Sequence, residues 1–231
     1  VGTGAFYGPE YLGSKDYGFN PGLIGTIQNG PYFIKLTGTQ LTANVLPSET
    51  FYAGPLIAYG GGRKDVSDSV IKKLDEVDAE LWLGGVAGVG YSGLMLQRDR
   101  IGARIEVAHD VMGDSGTTAT FSVGYEINAS ERLAFGVDLS TTYVTSDYGD
   151  AYYSVSASGS AASGLATFKA GSGLRDITLS ASSRFAVTEN WGIGGTAGAS
   201  HLLGDMADSP IVKDRGTRTN VQGGLFFWYR L

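Results

Sequence analysis

The chain contains no cysteine and only two histidines. The first absence removes disulfide staples and thiolate chemistry and suits passage through a thiol-oxidising compartment. The second leaves His109 and His201 as the whole supply of neutral-pH bases. Charge is sparse: 17% of residues are Asp, Glu, Lys or Arg, and the net charge of -6 argues against nucleic acid as a partner. No run reaches the roughly 18 apolar residues that a membrane-crossing helix needs. What the chain has instead is glycine, 36 in 231 residues, with 13 Tyr and 10 Phe, a composition that fits one all-β domain over residues 1–231. Such a chain is soluble, or it crosses a membrane as a barrel in which only alternate residues face lipid. For an exported protein beginning at Val1, the expectation is a processed form whose leader has been removed.

Period decides between these readings. Over residues 176–187, Ile177, Leu179, Ala181, Phe185 and Val187 share one face, opposite Thr178, Ser180, Ser182 and Arg184. Residues 117–128 repeat the scheme with Phe121, Val123, Tyr125 and Ile127, and after a short turn at 128–132 so do Leu133, Phe135, Val137 and Leu139. Further strands are expected near 1–7, 18–28, 31–45, 50–60, 79–91, 101–111 and 191–203, each about long enough to cross a hydrocarbon layer when tilted. Aromatic residues at strand ends (Phe6, Tyr7, Tyr91, Tyr125, Tyr143, Trp191, Trp228 and Tyr229) fit interfacial girdles. Pro55 cannot donate to a ladder and predicts a bulge. With residues 31–45 split in two, or with one more leading strand, the wall has twelve strands; ten is the alternative if residues 1–7 stay outside it. The expected fold is therefore an all-β, transmembrane, antiparallel up-and-down β-barrel.

The second face is polar and small, with Glu80, Arg104, Glu106, Asp110, Asp138 and Arg184 at inward positions, where opposite charges pair across a narrow lumen. These charges form either a plug of ion pairs or, as the alternative, the lining of a small-solute channel. Long connections are expected at 61–78, 147–171 and 204–216. The first predicts a short helix carrying Val70, Ile71 and Leu74, capped by Ser67 or Asp68, that packs over the barrel mouth. The second is rich in Tyr and small residues and reads as a loop folded against the rim or into the lumen.

The final strand has its own pattern. Gln222, Gly224, Phe227 and Tyr229 follow a polar-x-Gly-x-x-aromatic-x-aromatic spacing that resembles the signal read by the outer-membrane barrel-assembly machinery, with Leu231 in place of the usual terminal Phe. The loops add a second resemblance. Tyr11 to Tyr17, including Gly13, Ser14 and Asp16, together with Gly62-Arg63, Asp150 to Tyr153, Ser160 to Leu165 and Leu203 to Val212, appear in the order and spacing of the MipA/OmpV outer-membrane proteins. The resemblance spans nearly the whole chain. It implies an integral barrel of the Gram-negative outer membrane, in contact with lipid and lipopolysaccharide, and a scaffold joining a lytic transglycosylase to a murein synthase. It brings no cofactor and no catalytic residue.

In the last of those motifs, Asp205 and Asp208 suit side-chain turns, and Ser209-Pro210 returns the chain to an extended path. Two carboxylates fall short of the six to eight oxygens of a calcium cage, so no metal is expected. Catalysis is not expected either. Ser200-His201 and His109-Asp110 are sequence neighbours, and neighbours on a strand point to opposite faces, so neither pair is ready for acid–base work.

Overall fold

Alternating apolar and small residues, punctuated by turns, build a wall of twelve antiparallel strands in this computed structural model, which describes residues 1–230. The strands are β1 (Gly2–Pro9), β2 (Tyr17–Asn29), β3 (Tyr32–Thr37), β4 (Gln40–Asn44), β5 (Phe51–Gly60) and β6 (Glu80–Ser92). They continue as β7 (Asp99–Asp110), β8 (Thr117–Asn128), β9 (Leu133–Val144), β10 (Gly173–Ala186), β11 (Trp191–Leu202) and β12 (Thr219–Tyr229). Each pairs with its sequence neighbours, and β1 pairs with β12, from Gly2↔Trp228 to Tyr7↔Gly223, closing the cylinder. Twelve strands follow because residues 31–45 break at Gly38-Thr39 into β3 and β4. Leu231 lies outside the described residues.

The outer surface is apolar. Phe19, Leu23, Ile105, Phe121, Leu139, Leu179, Leu225 and Phe227 are all exposed, a band that water would penalise and a hydrocarbon layer accepts. Exposed aromatics mark both edges of the band: Tyr7, Phe19, Tyr59 and Tyr143 near one rim, Tyr32, Phe51, Tyr91, Trp191 and Tyr229 near the other. Two residues expected in these girdles face inward instead. Phe6 and Trp228, with Phe226, lie flat over glycines: a Cβ added at Gly22 or Gly224 would meet the Phe6 ring, and one at Gly192 the Trp228 ring. Valine at Gly224 should therefore lower stability by about 1–3 kcal/mol through overpacking, read as a lower urea midpoint of the refolded barrel. Gly18→Ala, where no atom lies within reach of the new methyl, should leave the midpoint unchanged.

Two irregularities shape the wall. Pro55 produces no inserted residue: it pairs with Gly85, while the regular β4–β5 register stops at Thr42↔Leu56 and the Asn44 side chain takes over, its Oδ1 accepting from Ala53 N–H at 3.0 Å. The register shift falls instead between β9 and β10, at Leu174/Asp176. The β3–β4 hairpin is also short. Its tip bonds to Leu23 and Tyr59, so among the described residues Tyr17 to Gly22 of β2 have a strand partner only in β1. Pro21, which has no N–H to offer, sits on that free stretch.

The termini and the turns at 30–31, 45–50, 93–98, 129–132 and 187–190 share one rim, which by barrel architecture is periplasmic; the long loops rise from the other. The buried core sits at the long-loop end. Helices α1 (Ser146–Tyr153), α2 (Ala157–Ser163), α3 (Gly204–Asp208) and α4 (Pro210–Lys213) come from the second and third long loops and fold into the mouth. The first long loop contributes only a single 3-10 turn at Ile71–Lys73.

Candidate functional site

The plug is built from tyrosines that α1 places at i, i+4 and i+5. Tyr148, Tyr152 and Tyr153 are buried, and the first two rings stack at 4.6 Å. Tyr148 Oη accepts from Arg175 on β10 at 2.8 Å, and Tyr153 Oη donates to the Leu12 carbonyl at 3.0 Å. Burial raises all three phenols above the ordinary tyrosine value, so they act as neutral hydrogen-bonding wedges. Met206, Val212 and Leu202 pack against them, and Ser209 Oγ donates to the Tyr153 carbonyl at 2.6 Å while accepting from Ile211 N–H to start α4. A second cluster, Tyr11, Val66, Ile71, Leu74, Val155 and Ile211, joins the loops above it. Burial pushes the Tyr11 phenol up to about 12, against the pull of the Arg63 guanidinium over its ring.

Asp68 ties three loops together. It accepts from Arg215 at 2.8 and 3.1 Å, from Lys15 at 3.3 Å, and from the N–H groups of Val70 and Ile71. The first N–H groups of the 3-10 turn are thus taken by Asp68, two residues ahead of the N-cap Val70, while Ser67 instead donates to Glu10. Asn220, fully buried on β12, holds the first turn: its side chain accepts from Gly13 N–H at 2.6 Å and donates to the Ser14 carbonyl at 2.7 Å. Gly13 has φ 103°, a conformation glycine adopts without strain. Asp16 N–H bonds back to Ser14 Oγ, and Tyr17 Oη accepts from Val221 N–H. The two remaining acids of the loop motif do different jobs: Asp205 accepts from Gly171 N–H, and Asp208 pairs with Lys213 and Arg218. Among the described residues no group of three acidic or histidine side chains is placed to hold a metal.

Below the plug, the inward charges divide. Arg104 bridges Glu106 at 3.2 Å and Asp138 at 3.1 Å, Gln40 donates to Glu106 across the lumen, and Arg184 pairs with Glu126. Asp110 takes no part in this pairing. It is buried and accepts from Leu81, Met112 and Ser115 N–H, because the turn after β7 leaves those donors without ladder partners. Glu80 accepts from Trp82 Nε1 at 3.1 Å and has no ion-pair partner among the described residues. A cavity of about 230 Å³ lies between plug and charge cluster. Both histidines are exposed on the outer face, each bonded to the threonine opposite (Thr117, Thr219), while Ser200 is buried and bonded to Thr178.

The periplasmic rim holds a feature that alternation did not pick out. Asp99 accepts from the N–H groups of Leu94, Met95 and Leu96 at 2.9–3.0 Å and from Tyr125 Oη, locking the turn at 93–98. Leu94, Met95 and Leu96 are 64%, 72% and 53% exposed on it. Beside them is a groove of about 500 Å³ whose lining includes Arg98, Arg100, Glu126 and Glu131. The one sequence signal for this turn was three consecutive large apolar residues where alternation stops.

The family described as MltA-interacting protein MipA matches residues 1–231, the whole chain. The chain belongs to the MipA family. It is an integral outer-membrane barrel, as the apolar band, the closed wall and the family agree. Among solved structures, this MipA-family chain is similar to the NanC porin, at 10% identity and TM-score 0.52 over 100% of this chain and 98% of that one. It is also similar to the KdgM porin, at 8% identity and TM-score 0.48 with both chains fully covered. The likeness to the NanC porin speaks for the barrel fold alone. No curated protein matches the chain.

Proposed function

We propose that this MipA-family barrel is a closed outer-membrane anchor that recruits cell-wall enzymes, a lytic transglycosylase and a murein synthase, to its periplasmic rim, and that it catalyses no reaction itself. The observation that carries the reading is the turn at 93–98. An exposed Leu-Met-Leu tip is normally a liability, yet here one buried carboxylate spends three hydrogen bonds holding it in a fixed shape. A pre-shaped apolar tip beside a groove of mixed charge suits a protein partner, since little ordering entropy remains to be lost on docking. The family description, which names a murein-enzyme partner, points the same way. The tyrosine plug fits an anchor better than a conduit.

The test is capture. Replacing Leu94, Met95 and Leu96 together by serine should abolish co-purification of the transglycosylase with the barrel, with the heat-modifiable gel shift of the folded barrel unchanged. Unaltered capture would move the docking surface elsewhere and remove the basis of this reading.

The charged lumen supports a second reading, a narrow channel for small solutes, through Arg104, Glu106 and Asp138 in its middle. Stable conductance steps from the intact protein would favour it.

A further inference from the structure

Glu80 begins β6 just beneath the plug and is 4% exposed. One carboxylate oxygen accepts from Trp82 Nε1; the other, Oε1, has no hydrogen-bond partner among the described residues. A buried acceptor left without a donor is costly, the more so if charged, so such groups are rare unless something fills the place. Glu80 lines the 230 Å³ cavity, along with Leu56, Trp82, Thr120, Thr142 and Tyr148. The charge around that cavity is unbalanced. Arg175, also in its wall, is engaged by Asp176 at 2.7 Å and Tyr148 at 2.8 Å, and Arg104 by Glu106 and Asp138. Of the two carboxylates in the cavity wall, Glu106 is paired with Arg104, and Glu80 has no cation within ion-pair distance among the described residues. Tyr152, on the plug, reaches close enough to Glu80 for the carboxylate to help raise its phenol, yet among the described residues no donor lies within hydrogen-bond distance of Oε1.

We propose that this cavity is a binding site for a small organic monocation, a primary ammonium carrying a short apolar or aromatic body. The ammonium donates to Glu80 Oε1 and to the hydroxyls of Thr120 and Thr142, which otherwise bond only to each other at 3.0 Å. Its apolar body lies against Trp82 and Leu56. At roughly 30 Å³ per water, the space equals about eight waters, which admits a ligand of benzylammonium size and excludes oligomers.

Benzylammonium and its neutral counterpart benzyl alcohol, titrated calorimetrically into the intact barrel in detergent micelles, make the test. The wild type should bind the amine and not the alcohol. Glu80→Gln keeps an acceptor for Trp82 but removes the charge, and should weaken amine binding about tenfold or more. Ala108→Leu, which fills the cavity without touching a charge, should block binding equally. Both variants must retain the heat-modifiable shift of the folded barrel, and if Glu80→Gln does not, Ala108→Leu alone carries the test. Failure of the wild type to bind the amine, equal binding of amine and alcohol, or undiminished binding by the folded variants would overturn the proposal.

Discussion

Deletion of residues 146–163 is expected to turn a silent barrel into one that conducts in discrete steps in a planar bilayer. The argument rests on strand number and on where the core lies. Eight-stranded barrels fill with their own side chains and barrels of sixteen or more keep an aqueous channel; twelve strands leave a lumen that loops must close. Here closure is local. Tyr148, Tyr152 and Tyr153 sit in the mouth, and below them are a cavity and paired charges rather than packed apolar residues. Removing α1 and α2 takes away all three rings and leaves the hydrogen-bonded wall intact, because their ladder contacts are confined to the loop. The selectivity of the opened lumen should follow its charges, and Arg104→Gln in the same background should shift it toward cations several-fold. Stable steps from the wild type would show instead that the plug is no barrier, and would favour the channel reading.

Substitution of Asp68 by Asn is expected to loosen the plug while leaving the barrel folded. The Asp68 carboxylate is buried and holds Arg215 and Lys15 from two other loops. Breaking a fully buried ion pair costs about 3–5 kcal/mol. Arg215 is about one-third exposed, so solvent screening reduces the expected loss to about 2 kcal/mol. It should appear as faster hydrogen exchange across residues 10–16, 61–79 and 203–218, with strand amides unaffected. A pH dependence accompanies it. Burial alone would raise the carboxyl, but the bonds from Arg215, Val70, Ile71 and Lys15 outweigh burial and hold it at about 2, below the usual 3.8. A depressed value means the clamp is fully present above pH 3.8 and is lost as pH falls through about 2. Loop protection in the wild type should decline over that window, and the Asn variant should show no such step. Equal exchange in both proteins would mean that apolar packing alone holds the loops.

Some of the site was legible in advance and some was not. Asp68 was readable as a cap because Asp before a short apolar run is a local signal, yet its larger role depends on Arg215, 147 residues away. Arg104, Glu106 and Asp138 announced themselves by parity on their strands, and they do meet in the lumen. Asp110 has the same parity but sits at a strand end, where capping a turn outweighs pairing across the lumen. The helices of α1 and α3 gave little warning: Ser146–Tyr153 contains Gly149 and has no side-chain cap, so intrinsic propensity does not call for a helix there. Packing of its tyrosines in the mouth supplies what propensity lacks.

The sequence by itself determined the wall. A period of two over about a dozen segments and the turn residues between them are local properties, and alternation assigns each side chain to lipid or lumen without knowledge of any distant residue. Tertiary structure decided what fills the mouth, which acids cap and which pair, and which buried oxygen is left without a partner. Those outcomes depend on residues far apart in the chain being brought within hydrogen-bond range, a distance that only closure of the barrel fixes.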